Sequence, residues 1–291
     1  MKKTLIGLLI IIAISYICVE KEKSSSSSNE IARTTFSASE NGFLKVNKTS
    51  LQNEKGEDIQ LKGVSSHGIQ WDTYKDISKD VLDYLKKEWG INVFRIAMYT
   101  EENGYIVKPK EVKERLLKLI DDAIAADIYV IIDWHVLSDK DPNKYIEQSK
   151  EFFDEVSKLY KDTPNVIYEI CNEPNGNHVT WEDEIKPYAE TIIKIIRKNS
   201  PKSTIIVGTP NWCGKLKPVL ESPLKYDNIL YAVHFYAGTH GDRLREDMEK
   251  ALEKGIPLFV SEWGTTDATG NGELYPEESR KWINFLDKKN I

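Results

Sequence analysis

Two carboxylates in this sequence stand where catalysis could use them. Glu173 falls at the end of the run Val166-Ile167-Tyr168-Glu169-Ile170-Cys171-Asn172-Glu173-Pro174, and Glu262 ends the apolar part of Phe259-Val260-Ser261-Glu262-Trp263-Gly264. The first run is apolar, of strand length, and rich in β-branched and aromatic residues, the pattern of a strand buried on both faces. Pro174 removes a donor and stops the pairing, so Asn172 and Glu173 sit where that strand ends. A pair of carboxylates suits glycosidic bond cleavage when one is protonated and the other ionised, which requires two different surroundings. If they lie about 5 Å apart, the ionised one can attack the sugar directly, with retention of configuration. Taken alone, Glu173 reads equally well as a solvated loop residue. The elements around it change that balance.

From Ile59 onward the chain alternates. Strands are expected over 59–64, 92–99, 129–134, 166–170, 204–207, 229–235 and 258–261. Helices are expected over 79–89, 110–126, 142–160, 181–198, 242–254 and 277–288, with a short or irregular return after 207. Gly90 and Gly255 fit as caps, and Pro142 suits a first helical turn. Short strands at 43–46 and 51–53, with a turn at Lys55-Gly56, precede the alternation and would plug the bottom of a barrel. Such alternation argues an α/β protein with a parallel sheet inside and helices outside, and the natural closed form is a (β/α)8 TIM barrel. In that fold the active site is built where the strands end. Polar and aromatic residues cluster at those ends here. They are His67 and Trp71, Arg95 and Tyr99, His135, Asn172 and Glu173, Trp212, His234 and Tyr236, and Glu262. Each has a bland reading singly, such as a buried ion-pair partner or a satisfied core histidine. Three of the five histidines together with two glutamates at such positions are hard to obtain from structure alone.

The rest of the composition mainly excludes. A net charge of −6 gives no reason to expect nucleic acid or an anionic membrane surface as partner. Of three cysteines, Cys18 lies in the leader, so Cys171 and Cys213 imply no disulfide scaffold. No Cys/His spacing resembles a zinc site and no Gly-rich phosphate loop is present. No metal or cofactor is expected. Met1-Lys2-Lys3, the apolar run Leu5 to Ile17 and Cys18 fit a signal peptide at 1–18, resembling a lipoprotein signal. Residues 19–40, with the serine run 24–28, fit a flexible linker, leaving 41–291 as the catalytic barrel. Export is expected, either secreted or anchored outside a bacterial membrane, with membrane attachment only through the leader.

The motifs resemble glycoside hydrolase family 5, the cellulase family, and its bacterial endoglucanases in particular. The resemblance is carried by Gln60-Leu61-Lys62-Gly63-Val64-Ser65-Ser66-His67-Gly68, by Asn92-Val93-Phe94-Arg95-Ile96-Ala97-Met98-Tyr99-Thr100 and by Ile131-Ile132-Asp133-Trp134-His135. It continues through the two glutamate runs and Tyr231-Ala232-Val233-His234-Phe235-Tyr236-Ala237-Gly238-Thr239-His240. It implies Glu173 as general acid/base and Glu262 as nucleophile. It implies Arg95 and Tyr236 as the pair holding Glu262 ionised, and Asn172 as donor to the sugar 2-hydroxyl. His135, His234 and Tyr99 would line the cleavage subsite. His67 and Trp71 would form the next subsite, Trp212 the platform for the leaving sugar, and Ala268 a further substrate contact. The implied substrate is a β-glucan polysaccharide or oligosaccharide, handled by a monomer. Mannan, mixed-linkage glucan or xylan are alternatives within the same chemistry, and a carbohydrate-binding remnant without turnover is an alternative outside it.

One departure from the family pattern is expected to matter. Seven strands are counted where the fold has eight, and the family's sugar-stacking Trp on the eighth has no counterpart before Ile291. The expectation is an incomplete barrel with unpaired edges on its first and seventh strands, Glu262 more exposed than Glu173, and low solubility and activity.

Overall fold

The computed structural model describes residues 36–291. The leader and most of the polar segment after it lie outside the described residues. The folded unit starts at Ser37, before the expected boundary at 41. Ser37 caps a short helix, α1 (Ala38–Asn41), by accepting the Glu40 N–H at 3.1 Å. The buried Ala38 donates its N–H to Asp127 O, so the last residues of the expected linker belong to the domain.

A hairpin follows, β1 (Lys45–Asn47) and β2 (Ser50–Gln52). Its turn is at Lys48, whose φ of 56° is left-handed, and Lys55-Gly56 forms a separate turn after it. This segment packs at the N-terminal ends of the sheet strands. Tyr129 OH donates to Gly42 O at 2.7 Å, and Asn228 accepts the Val46 N–H at 2.8 Å.

Seven parallel strands then form one sheet in chain order: β3 (Gly63–Ser65), β4 (Val93–Tyr99), β5 (Tyr129–His135), β6 (Val166–Glu169), β7 (Ile205–Val207), β8 (Ile229–Tyr236) and β9 (Leu258–Gly264). The crossovers are α2 (Lys79–Trp89), α3 (Pro109–Ala125), α4 (Ile146–Leu159), α5 (Lys186–Asn199), the short α6 (Lys217–Glu221) and α7 (Asp242–Glu253), with α8 (Pro276–Lys289) after β9. Such alternation yields a parallel sheet because each return must cross over outside it. This is the (β/α)8 barrel architecture with seven strands among the described residues. β3 and β9 each pair on one side only. Between them lies a cavity of about 560 Å³, reaching from Gln60 and Ile291 up to Arg95 and Glu262.

The first barrel strand is shorter than expected. Residues 60–62 run beside β4 without a ladder, because the Asn92 side chain takes over: it accepts the Lys62 N–H at 2.7 Å and donates to Gln60 O at 2.9 Å. The core lies between sheet and helices. Helices α3, α4, α5 and α7 each contribute a buried stripe, such as Val112, Leu116, Leu119, Ile120 and Ala123 on α3. None of the helices among the described residues is long and apolar enough to cross a membrane.

Candidate active site

The strand ends deliver the site. All residues of β5 and β6 are buried, and Asp133, His135 and Glu169 on them find polar partners inside the barrel. Arg95, on β4, is the hub. Its Nε donates to Glu169 Oε2 at 2.6 Å, its Nη2 to Asn172 Oδ1 at 2.7 Å, and its Nη1 to Glu262 Oε2 at 3.4 Å. Asp133 adds a third carboxylate, 2.9 Å from Nη2. Burial alone would favour loss of the Arg95 proton, but Asp133, Glu169 and Glu262 outweigh it and lock the charge in place.

Glu262 is held at both oxygens, since Tyr236 OH donates to Oε1 at 2.7 Å. Burial would push its carboxyl up. The charges of His234 and Arg95 and the Tyr236 hydrogen bond reverse this and bring it down to about 2. Glu262 is therefore an anion at any ordinary pH. Tyr236 moves the other way: burial and the Glu262 charge raise its phenol well above the usual range, so it stays a donor.

Glu173 has a different neighbour. Its Oε1 lies 2.8 Å from His234 Nδ1. Carboxylate oxygens of Glu173 and Glu262, and a ring nitrogen of His234, fall within 4.8 Å of one another. These three residues could in principle gather a metal ion. In the metal-free protein, burial is outweighed at His234 by Glu169 and Glu173, which hold it up to about 10. The cluster reads as acid–base machinery.

Around this centre, His67, Tyr99, His135, Trp212, Tyr236 and Ala268 line one cleft of about 1580 Å³ with Glu173 and Glu262. Trp71 stands behind that wall. It stacks on His67 at 4.4 Å and meets Tyr99 edge-on at 5.0 Å, while Tyr99 stacks on His135 at 4.0 Å. His135 Nδ1–H donates to Asp133 Oδ2 at 2.6 Å. Asn172 spends both amide hydrogens in this structure, on Val136 O at 3.1 Å and on His135 Nε2 at 3.3 Å. A sugar hydroxyl reaching Asn172 must replace the longer of these.

Trp212 sits opposite, 48% exposed, on an unusual backbone. Asn211, Trp212 and Cys213 are all left-handed, with φ of 59°, 53° and 57°. Such a run is costly for residues other than glycine. It is tied to the catalytic strand end: Trp212 N–H donates to Pro174 O at 3.3 Å and the Cys213 thiol to Asn172 O at 3.0 Å. Gly208 permits the approach, because a Cβ there would lie 2.3 Å from Cys171 O. Cys171 and Cys213 are buried free thiols.

A site of this geometry can be compared with known proteins. The sequence pattern of cellulase, glycosyl hydrolase family 5, matches residues 52–291. The chain belongs to that family. An endoglucanase of Clostridium saccharobutylicum is 50% identical over 262 residues, 90% of this chain and 57% of its own length. Endoglucanase A of Evansella cellulosilytica is 52% identical over 236 residues, 81% of this chain and 48% of its own. This family 5 chain thus spans about half the length of those relatives. Among solved structures, the catalytic domain of Thermobifida fusca endoglucanase Cel5A, in complex with cellotetraose, matches with a TM-score of 0.83 at 36% identity. That match covers 88% of this chain and 85% of the other.

Sequence reasoning named the inner residues of the cleft, left out others that line it such as Leu137, Arg243 and Lys250, and missed three beneath it. Glu169, Asp133 and Ser261 had no assigned role. The signal was available for the first two: a carboxylate inside an otherwise apolar buried strand cannot be left unpaired.

Proposed function

We propose that this family 5 chain is a retaining endo-β-1,4-glucanase acting on cellulose or related β-glucans. The observation that carries it is the close approach of two carboxylates in different surroundings, within 4.8 Å of each other in one cleft. That spacing fits direct attack and falls short of the roughly 6.5–9.5 Å of inverting pairs. Glu262, held ionised by Arg95 and Tyr236, attacks the anomeric carbon. Glu173 gives its proton to the departing glycosidic oxygen. In the second step Glu173 takes a proton from water, and that water displaces Glu262 with a second inversion, so the configuration is retained. A cleft of about 1580 Å³ exceeds the roughly 300–1,000 Å³ of small-molecule pockets and suits several sugar units. The names of the relatives and the cellotetraose complex support a β-glucan over other polymers.

The test is hydrolysis of cellotetraose followed by NMR of the fresh reducing ends. First-formed β-anomer is expected. First-formed α-anomer would overturn retention, and hydrolysis of mannan or xylan in place of the β-glucan would overturn the substrate. We further infer export, supported by the charged start, apolar run and Cys18 of the leader. Labelling with radioactive palmitate, lost in Cys18→Ser, tests the lipid anchor.

A further inference from the structure

The buried groups behind the cleft form a chain with a defined direction. Glu169 is fully buried and can only accept. Its Oε2 takes the Arg95 Nε–H, and its Oε1 takes the Ser261 hydroxyl proton at 2.6 Å. Ser261 has one hydrogen to give, so toward His234 Nε2, 2.9 Å away, its oxygen must accept. Nε2 of His234 therefore carries a proton. His234 Nε2 also lies 3.8 Å from Glu169 Oε1, close enough for the carboxylate charge to favour a proton on the ring.

That direction constrains Glu173. With Nε2 fixed as a donor, the only variable nitrogen of His234 is Nδ1, which faces Glu173 Oε1 at 2.8 Å. If His234 were neutral, Nδ1 would be a bare acceptor and would draw the Glu173 proton onto Oε1, away from the glycosidic oxygen. If His234 is doubly protonated, Nδ1 donates to Oε1 and any proton on Glu173 must sit on Oε2.

Resting on the assignment of Glu173 as general acid/base, we propose that Glu169 and Ser261 are positioning residues that keep both His234 nitrogens protonated, so that Oε2 of Glu173 is the oxygen that gives and takes the proton. No covalent step is added. The charged groups that face His234 agree with this: Glu169 and Glu173 from β6 and its exit, and Glu262 from β9. His240, from the turn after β8, is held below the usual imidazole range, first by burial, so it adds no competing cation near neutral pH. Arg95 is held off by Glu169 itself.

The experiment has one readout independent of turnover. In the full chain, ¹⁵N NMR of His234 should show a doubly protonated ring at pH 7 and above. Ser261→Ala should lower the pH at which it loses a proton. Glu169→Gln should lower it further, because the facing charge is gone. A neutral ring in the parent at pH 7, or a titration unmoved by Ser261→Ala, would overturn the proposal. The kinetic readout uses an unactivated cellooligosaccharide. Ser261→Ala should lose about tenfold in kcat with little change in KM, and Ser261→Thr, which keeps the hydroxyl, should recover most of it. Glu169→Gln should move both limbs of the pH profile upward. It removes an anion but also discharges the nearer cation, and the nearer charge dominates. Ser261→Ala touches no Arg95 contact, so it decides the matter even if Glu169→Gln fails to fold. A parent that shows the expected His234 titration but hydrolyses no glycoside would count against the catalytic reading and leave the protonation proposal standing. Unchanged kcat and unchanged limbs in both variants would overturn the positioning role.

Discussion

The two carboxylates of this site are delivered by very different walls. Glu173 leaves β6, in the middle of the sheet, next to β5, where every residue from Tyr129 to His135 is buried. Glu262 rides on β9, which among the described residues pairs only with β8 and has just Leu258 and Phe259 buried. The side chain of Glu262 is 20% exposed and that of Glu173 12%. Yet the more exposed carboxylate is firmly ionised. Its two hydrogen-bond donors, Arg95 and Tyr236, come from β4 and β8, while its own strand contributes only the position. The comparison teaches that charge and placement at one residue can have separate sources. A loosened β9 would blur where Glu262 is without changing what it is.

The largest effect should come from removing that charge. Glu262→Gln keeps shape and the Tyr236 contact but abolishes nucleophilicity. Turnover of every substrate should fall on the order of 10⁴-fold or more. Residual hydrolysis above a hundredth of the parent's would break the assignment. Glu173→Ala should be milder and selective. Polysaccharide hydrolysis should fall about 10²–10⁴-fold, whereas the glycosylation step of an aryl glycoside with a good leaving group should fall much less, since little protonation is needed. Equal losses on both substrates, with glycosylation limiting, would reverse the two roles.

A smaller effect concerns stability against pH. Glu169 and Glu262, brought to about 2 from an ordinary 4.5, contribute stability that is complete above pH 4.5 and lost as pH falls through 2. His234, raised to about 10 from 6.5, contributes stability that is complete below 6.5 and lost as pH rises through 10. The Tm should therefore peak between pH 4.5 and 6.5 and decline on both sides. In Ser261→Ala the alkaline decline should still begin near pH 6.5 but end at lower pH and be smaller. A Tm flat from pH 6.5 to 10 would show that the interior does not depend on the His234 charge.

What the sequence revealed follows the same division. β6 was legible because an apolar run that stops at Asn172-Glu173-Pro174 marks both a buried strand and its end. Arg95 and His234 stood out as polar residues inside such runs. Which partners they meet was not legible, because the chain Arg95–Glu169–Ser261–His234 joins β4, β6, β8 and β9, and a single strand carries no record of its neighbours' facing atoms. The left-handed turn at Asn211 to Cys213 was hidden for a related reason. Nothing in those residue types favours φ near +55°, and only the ties to Pro174 and Asn172 hold it there. The first barrel strand was overread at 59–62 because Asn92 replaces a ladder that periodicity alone would draw.

The smallest effect would test the comparison directly, on the backbone. A strand inside a sheet opens only when two ladders break, whereas an edge strand loses one. β5 is laddered to β4 along its whole length and to β6 as well. β9 is laddered to β8 alone, with a register shift between Ala232 and His234. Amide hydrogen exchange of the folded chain should therefore show β9 exchanging at least about tenfold faster than β5, a difference of about 1.4 kcal/mol in opening free energy. β3, with three paired residues, should behave like β9. An open edge also invites another strand. If β9 proves as slow as β5, dilution separates the explanations. Protection that fades as the protein is diluted means that copies pair through β3 or β9, and the comparison survives for the monomer. Protection independent of concentration means that the edge is not open in solution, and the contrast drawn between the two walls fails.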